Sequence, residues 1–192
     1  MITDNHYNFI SQREIELMPT IQTDIDSSSL VLTSADQKVL KIPLHSKREV
    51  KVRAKVWNDF CNAFDEGDEA SSWLTEVLGM FNQSPLRLVR FDHKGKRQVP
   101  KQYLNGVHAE SAFSDQFPYL ITSWESLTKL NIGLLENDYL EVSMNRFRPN
   151  IVLKGLSDIE TMTSFNLICE KGGYQLGLRK PCKRCKITTI DQ

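Results

Sequence analysis

The sequence predicts an α+β fold dominated by β-strands, and three observations support this prediction. Within residues 1–60, β-branched and apolar residues alternate with polar ones in short stretches, which is the two-residue period of a strand. Clusters of Ser, Asp and Pro separate these stretches, as turns require. Only two later segments show the three- and four-residue spacing of a helix. We therefore expect a β-barrel or curved sheets with a few covering helices.

The first half of the chain predicts strands followed by one helix. The strand candidates are PTIQTDI (19–25), SLVLTS (29–34), KVLKIPL (38–44) and EVKVRAKVW (49–57). A helix is predicted over 66–79, because acidic residues open the segment, apolar residues recur at helical spacing, and Gly79 can supply a left-handed C-cap. Residues 85–91 then predict a strand, and the basic stretch 92–102 predicts an exposed loop.

The second half of the chain predicts a short strand that runs directly into a short helix. The strand ends near Ile121, and Thr122 with Glu125 forms the pattern of a capping box at the start of the helix. A turn then leads into a strand at IVLKG. Three further strand candidates follow, at 165–168, 175–178 and 187–190.

Composition excludes several classes of protein. The 192 residues are 40% hydrophobic and 25% charged, which is typical of a folded globular chain. The 24 basic and 24 acidic residues balance, so no net charge attracts nucleic acid. No apolar run is long enough to cross a bilayer, and the N-terminal residues lack the pattern of a signal peptide. We therefore expect a cytoplasmic protein with no membrane span and no nucleic-acid partner.

The segment RKPCKRCKITT, residues 179–189, is the strongest local chemical signal. It places Cys182 and Cys185 among five basic residues, and neighbouring cations favour the thiolate, which is the form that attacks and binds metals. Half of a zinc site is one interpretation, although no second ligand pair is visible. A thioredoxin-like motif should lie between a strand and a helix, whereas the residues after Cys185 predict a strand.

Two further segments carry candidate functional residues. In RFRPN, residues 146–150, guanidinium groups suit phosphate oxygens and Asn150 suits the edge of a heterocycle, so the segment could hold a phosphorylated cofactor. The alternative is that both arginines point into solvent at the entrance of a strand. In FSDQFP, Asp115 lies among aromatic residues and could be a partly buried carboxylate that donates or accepts a proton. The alternative is a turn or cap residue.

The succession of these segments resembles the MOSC superfamily, named for the molybdenum cofactor sulfurase C-terminal domain. The segments that carry the resemblance are FISQRE, VWNDFCNAFDEGDEASSWLTEVLG, VRF, FSDQFPYLITSWESLTKLN, RFRPNIVLKG and KPCKRCKITTID. The match is nearest to the branch with an N-terminal β-barrel subdomain, as in YcbX-type proteins and the mitochondrial amidoxime reducing component. The resemblance implies such a subdomain at 1–111 and the N-terminal part of a MOSC domain at 112–192.

The resemblance also implies roles for particular residues. Cys185 matches the cysteine whose thiolate binds molybdenum, and Asp115 matches an aspartate near the metal, so both are expected catalytic residues. Four residues are expected to bind the molybdenum cofactor, a molybdopterin: Arg148, Asn150, Lys183 and Arg184. Family members are also associated with pyridoxal phosphate, although no lysine context here argues for a Schiff base.

The resembling enzymes reduce N-hydroxylated compounds to the amine or amidine. The resemblance therefore implies an oxidoreductase whose electrons come from a ferredoxin-like [2Fe–2S] domain or from a flavin reductase. This chain has too few cysteines to ligate an iron–sulfur cluster by itself, so any cluster would lie on another domain or partner. The alternatives are a non-catalytic molybdopterin-binding or sulfur-carrier module that uses Cys185, or an inactive fragment. Because segments typical of both ends of the family are missing, we expect a truncated piece.

Overall fold

The computed structural model describes residues 1–156 and 165–192, with the backbone alone at Phe165. These residues form two compact units. The first unit contains residues 1–97, 111–115 and 192, and the second contains 98–110 and 116–191. The predicted domain boundary between residues 111 and 112 stays a prediction.

The first unit contains two antiparallel sheets and one helix. A three-stranded sheet has the order β2-β3-β4, and a four-stranded sheet has the order β1-β7-β6-β5. The strands are β1 (Ile2–Thr3), β2 (Gln22–Ile25), β3 (Ser29–Thr33), β4 (Val39–Pro43), β5 (Lys51–Val56), β6 (Asp59–Asp65) and β7 (Arg87–Phe91). All five strands that were predicted in this unit are confirmed, whereas β1 and β6 were not predicted.

Helix α1 (Asp68–Leu78) packs its apolar face into the main core of the first unit. Its residues Trp73, Leu74 and Leu78 lie in one buried cluster with residues of the three-stranded sheet and of β7. The helix ends as predicted, because Gly79 adopts a φ of 85° and its N–H donates to the Thr75 carbonyl oxygen. The left-handed region is available to glycine without steric cost.

The segment predicted as an exposed loop at 92–102 is partly buried, which corrects that prediction. Arg97 and Val99 are both buried. The guanidinium of Arg97 can be buried because its N–H groups have acceptors. It donates to the carboxylate of Asp59 at 3.0 Å and to the carbonyl oxygens of Ala112, Ser114 and Asp115. A basic residue can be buried when its donors are satisfied in this way.

The second unit contains a parallel strand pair joined by a helix, and a hairpin. Strand β8 (Ile121–Ser123) pairs with β9 (Ile151–Leu153), and α2 (Trp124–Leu135) follows β8 directly. Strands β10 (Phe165–Cys169) and β11 (Tyr174–Leu178) form an antiparallel hairpin. Strands β9 to β11 are confirmed. A strand directly before α2 is also confirmed, but β8 begins at Ile121, where the predicted strand was expected to end. Helix α2 is longer than the predicted short helix.

The predicted capping box at the start of α2 is wrong. The N-cap is Ser123, whose hydroxyl accepts from the Ser126 N–H at 3.1 Å. Glu125 instead accepts from the backbone N–H of Gly155 at 2.7 Å, and this bond helps hold the pKa of Glu125 below its usual range. Thr122 donates its hydroxyl to the Met144 sulfur.

The predicted strand at 187–190 is also wrong, because Lys186–Thr189 form a 3-10 helix. Other short 3-10 turns lie at Met18–Thr20, Lys101–Tyr103 and Met144–Phe147. With two α-helices against eleven strands among the described residues, the predicted α+β class dominated by β-strands is confirmed. In residues 1–156 and 165–192, no helix combines the length and apolarity needed to span a bilayer.

Candidate functional site

The two units divide the six predicted site residues unequally. Five belong to the second unit, namely Arg148, Asn150, Lys183, Arg184 and Cys185, and Asp115 belongs to the first. Within the second unit the RFRPN segment, residues 146–150, meets the cysteine-containing segment, residues 179–189, although the two lie far apart in sequence.

The RFRPN segment forms a tight turn that enters β9. Residues Met144–Phe147 make a single 3-10 turn, and Arg148 ends it in the left-handed conformation with a φ of 52°. A non-glycine residue in this conformation is uncommon and usually needs support from its surroundings. Here the Arg148 N–H donates to the Asn145 carbonyl oxygen at 2.9 Å. The turn places the Arg148 side chain on the surface.

Asn150 fixes the turn to the start of β8. Its side-chain Oδ1 accepts from the Leu120 N–H at 2.8 Å, and its own N–H donates to the Leu120 carbonyl oxygen at 2.9 Å. Because a backbone N–H must meet an oxygen, this bond defines which side of the amide carries the donors. The two N–H donors of the Asn150 amide have no hydrogen-bond partner in the part of the chain that the structure describes, and the residue is exposed.

The cysteine-containing segment follows β11 and ends in the 3-10 turn at Lys186–Thr189. Cys185 is the N-cap of that turn, and its carbonyl oxygen accepts from the N–H and the hydroxyl of Thr188. Both Cys182 and Cys185 are exposed. All four cysteines lie among the described residues, and none of them forms a disulfide.

Arg184 joins the two segments. Its guanidinium donates to the Phe147 carbonyl oxygen at 2.9 Å and lies 5.1 Å from the centroid of the Phe147 ring. It also donates to the Cys182 sulfur at 3.3 Å. Arg184 therefore has a structural role that the sequence did not predict, and its predicted cofactor contact stays a prediction.

A second arginine, from the RFRPN segment, also joins the two segments. Arg146 donates to the Thr189 carbonyl oxygen at 2.9 Å and forms an ion pair with Asp191 at 3.1 Å. Arg146 and Arg148 both flank Phe147 in the sequence. The sequence around them does not show which arginine makes internal contacts and which stays exposed.

Beside this junction, several hydrogen-bond donors of the two segments lie on the surface. Arg148 and Lys183 are exposed cations whose side chains have no hydrogen-bond or ion-pair partner within the described part of the chain, and Asn150 offers two amide donors. Together with the exposed Cys185 thiol, the second unit presents donors for anionic oxygens and a soft ligand for a metal.

A further cationic contact lies beside the cysteine-containing segment. Lys180 donates to the Gln116 side chain at 2.7 Å, and its ammonium lies 5.2 Å from the centroid of the Tyr103 ring. A hydrogen bond with Gln102 and the positive charges of Lys180 and Lys183 hold the pKa of Tyr103 below its usual range. Tyr103 and Lys180 were not singled out individually from the sequence.

Asp115 is exposed, which corrects the prediction of a partly buried carboxylate. Its Oδ1 accepts from the indole N–H of Trp57 at 2.8 Å, and its carbonyl oxygen accepts from Arg97 at 2.6 Å. The carboxylate thus has a defined orientation although it lies at the surface. Neither Trp57 nor Arg97 had been predicted as a functional residue.

The zinc interpretation of the cysteine pair finds no support in the described residues. No three His, Cys, Asp or Glu side chains of residues 1–156 and 165–192 cluster as a ligand set. A structural zinc site needs four ligands, usually from two closely spaced pairs.

Comparison with known proteins gives two domain matches and several relatives. Residues 1–81 match the family model of the MOSC N-terminal beta barrel domain, and residues 108–192 match that of the MOSC domain. The chain is 28% identical to human mitochondrial amidoxime-reducing component 1 over all of its length and 55% of that protein. It is 26% identical to the molybdenum cofactor sulfurase of Drosophila melanogaster, again over its whole length but over 23% of that protein.

One solved structure also matches part of the chain. The solution structure of a Bordetella bronchiseptica protein is 18% identical with a TM-score of 0.42, covering 49% of this chain and 72% of that one. The chain spans about half the length of the amidoxime-reducing components that it matches.

Proposed function

Since this chain belongs to the MOSC family and joins a MOSC N-terminal beta barrel domain to a MOSC domain, we propose that it is the cofactor-binding part of a molybdenum-dependent oxidoreductase. The proposed reaction converts an N–OH group to N–H: two electrons and two protons are consumed, the N–O bond breaks, and water leaves. The expected substrates are N-hydroxylated amines or amidines, by analogy with the name of the human relative.

The observation that carries the proposal is the junction of the two motifs by Arg184. Because Arg184 binds the carbonyl oxygen of Phe147, the segment bearing Cys185 is tied to the turn that bears Arg148 and Asn150. A thiol, a cation and an amide donor from distant parts of the sequence are thereby presented by one unit of the protein.

These donors fit the chemistry of a molybdenum cofactor. The exposed thiol of Cys185 would bind the metal, since soft thiolates suit a metal that also carries the two sulfurs of a pterin dithiolene. Arg148 and Lys183 would pair with the phosphate, and the N–H donors of the Asn150 amide would meet acceptors on the pterin. When bound, the cofactor would supply the two-electron redox chemistry of the reaction.

Asp115 is the residue that we assign to proton handling. Two protons must reach the substrate in each turnover, and a carboxylate with a fixed orientation can accept a proton from water and release it. The electrons would come from a separate redox protein or domain. The cytoplasmic location stays a prediction, and the name of the human relative places that protein in mitochondria.

The test is reduction of an aromatic amidoxime by the whole protein, purified from a host that makes the cofactor and supplied with a chemical reductant. The proposal predicts formation of the amidine, lost in Cys185→Ala and retained in Cys61→Ala, which alters a buried cysteine of the first unit. A protein that contains molybdenum but leaves the amidoxime unreduced would refute the reductase assignment.

A sulfur-carrier role is the second candidate, and the exposure of Cys185 favours it. An exposed thiol beside cationic side chains can carry a persulfide. The sulfurase name of the Drosophila relative points in the same direction. A persulfide on Cys185 in protein without molybdenum, detected by mass spectrometry, would support this role over the reductase.

A further inference from the structure

Trp57 holds one oxygen of Asp115 in the first unit. The residue lies in the turn between β5 and β6, where it adopts the left-handed conformation with a φ of 56°. Its indole N–H donates to Oδ1 of Asp115 at 2.8 Å. A bulky residue in this conformation is unusual, and such residues concentrate where a side chain must be aimed.

The indole ring is itself held in place by two neighbours. The guanidinium carbon of Arg13 lies 5.0 Å from the ring centroid, within the range of a cation–π interaction. The ring of Phe9 meets that of Trp57 edge-on at a centroid distance of 5.4 Å and an interplanar angle of 80°. These contacts limit the rotation of Trp57, although 44% of its surface is exposed.

The backbone of Asp115 is fixed independently of its side chain. Arg97 donates to the carbonyl oxygens of Ser114 and Asp115, and the Arg97 guanidinium is held by Asp59 at 3.0 Å. The carboxylate is therefore restrained through its main chain and through Oδ1. No described residue donates a hydrogen bond to Oδ2.

This asymmetry makes the two oxygens of Asp115 chemically different. The indole N–H is a donor only, so a proton on Oδ1 would weaken this bond, because the oxygen that carries the proton is a poorer acceptor than a carboxylate oxygen. A proton on Oδ2 leaves that bond intact. We propose that Trp57 is a positioning residue: by occupying Oδ1, it makes Oδ2 of Asp115 the oxygen that accepts and releases the proton. This inference rests on the proposed function, in which Asp115 handles a proton of the reaction.

Nuclear magnetic resonance tests the bond without any activity measurement. The indole ¹⁵N–¹H resonance that disappears in Trp57→Phe belongs to Trp57. We expect this resonance to lie downfield and to move upfield by several tenths of a ppm in Asp115→Asn, because a charged acceptor makes a stronger hydrogen bond than a neutral one. An indole resonance that does not move in Asp115→Asn would overturn the proposal.

Kinetics of the molybdenum-loaded whole protein test the consequence. Trp57→Phe removes the N–H but keeps an aromatic ring beside Arg13 and Phe9, so we expect kcat to fall about tenfold with KM unchanged. The matched control is Trp124→Phe, which alters a tryptophan of similar exposure on α2 and should leave both constants at their wild-type values.

The outcomes separate the inference from the proposed function. If Asp115→Asn slows reduction while Trp57→Phe matches the wild type, the proposed function stands and the inference is wrong. A rise in KM without a fall in kcat in Trp57→Phe would also overturn it, because that pattern indicates a role in substrate binding. If the molybdenum-loaded wild type leaves N-hydroxylated substrates unreduced, the proposed function fails, and the proton role of Oδ2 fails with it.

Discussion

The guanidinium of Arg184 lies over the ring of Phe147, 5.1 Å from its centroid, and donates to the carbonyl oxygen of the same residue at 2.9 Å. One side chain thus makes a stacking contact and a hydrogen bond with a residue 37 positions away. Arginine suits this position because its planar fork can do both at once, whereas lysine cannot. The contact connects the cysteine-containing segment with the turn at Arg148.

Loss of this contact should loosen the cysteine-containing segment. In Arg184→Leu we expect amide hydrogen exchange over residues 182–190 to become about fivefold faster, since both the hydrogen bond and the cation–π contact are lost. Arg184→Lys should give an intermediate rate. The matched control is Lys183→Ala, which changes the adjacent exposed cation and should exchange as the wild type does. Wild-type exchange in Arg184→Leu would show that the contact does not order the segment.

Arg97 should be essential to the stability of the first unit. Its side chain is only 6% exposed and donates to Asp59 and to carbonyl oxygens of the 111–115 segment. Arg97→Met keeps much of the volume but leaves those acceptors unpaired, so we expect the free energy of unfolding to fall by about 3 kcal/mol in urea titrations. Lys94→Met, an exposed change in the same loop, should alter it by less than about 0.5 kcal/mol. Equal stabilities of the two variants would contradict this role.

The ion pair between Asp65 and Arg87 should make the first unit sensitive to acid. Two bonds of 2.7 and 2.8 Å join the buried carboxylate to the guanidinium. Burial alone would raise the pKa of Asp65, but the hydrogen bonds from Arg87 and from the Gly67 N–H outweigh it, so the pKa lies below its usual value. A lowered pKa in the folded state stabilises the protein above the pKa of the unfolded chain, and this contribution disappears as the pH falls through the folded value.

We therefore expect the free energy of unfolding to decline below about pH 4. Asp65→Asn should be less stable by about 2 kcal/mol at pH 7 and should lose most of that decline. Asp68 bonds the same arginine at 2.7 Å but is exposed, and exposed pairs contribute little, so Asp68→Asn should keep the wild-type acid sensitivity. Chemical denaturation between pH 2 and 7 measures these profiles, and a profile of Asp65→Asn parallel to the wild type would be inconsistent with this account.

Two glycines should respond in opposite directions to the same substitution. Gly79 ends α1 with a φ of 85°, so Gly79→Ala forces a side chain into the left-handed region and should cost about 1 kcal/mol. Gly133 lies inside α2, and an added Cβ meets no heavy atom within 4 Å, so Gly133→Ala should stabilise the helix by up to about 1 kcal/mol. Thermal unfolding followed by circular dichroism measures the change in stability of each variant. A change in the same direction in both variants would contradict the different backbone conformations of the two glycines.

The elements that the sequence predicted are those with local signals. The signals for the start of helix α1, for its apolar face and for its C-cap all lie within fourteen residues, and the structure has a helix there. Strand β6 was missed because its pattern is inverted: the buried positions hold Cys61 and Ala63, whereas Phe60 points outward. Small residues on the buried face and an exposed aromatic ring conceal the alternation on which strand prediction depends.

The 3-10 turn after Cys185 shows how side chains can override a strand pattern. The sequence ITTI has high β-propensity, but the hydroxyls of Thr188 and Thr189 donate to the carbonyl oxygens of Cys185 and Lys186. Such local bonds offer the backbone an alternative to a sheet ladder.

For the candidate site, the residue types could be predicted but their connections could not. The cation at Arg184, the amide at Asn150 and the indole at Trp57 each make contacts over thirty or more residues. Sequence spacing within a motif contains no information about such partners. The structure therefore adds which polar groups are used internally and which remain available to a ligand.

The most direct test of the account is the molybdenum content of the whole protein and of two single-cysteine variants, purified from a host that makes the cofactor. Cys182 and Cys185 are both exposed and lie three residues apart within the same basic stretch of sequence, so each is a matched control for the other. The account predicts about one molybdenum per chain in the wild type and in Cys182→Ser, and a loss of most of it in Cys185→Ser. Equal molybdenum in both variants, or none in the wild type, would contradict the claim that Cys185 holds the metal.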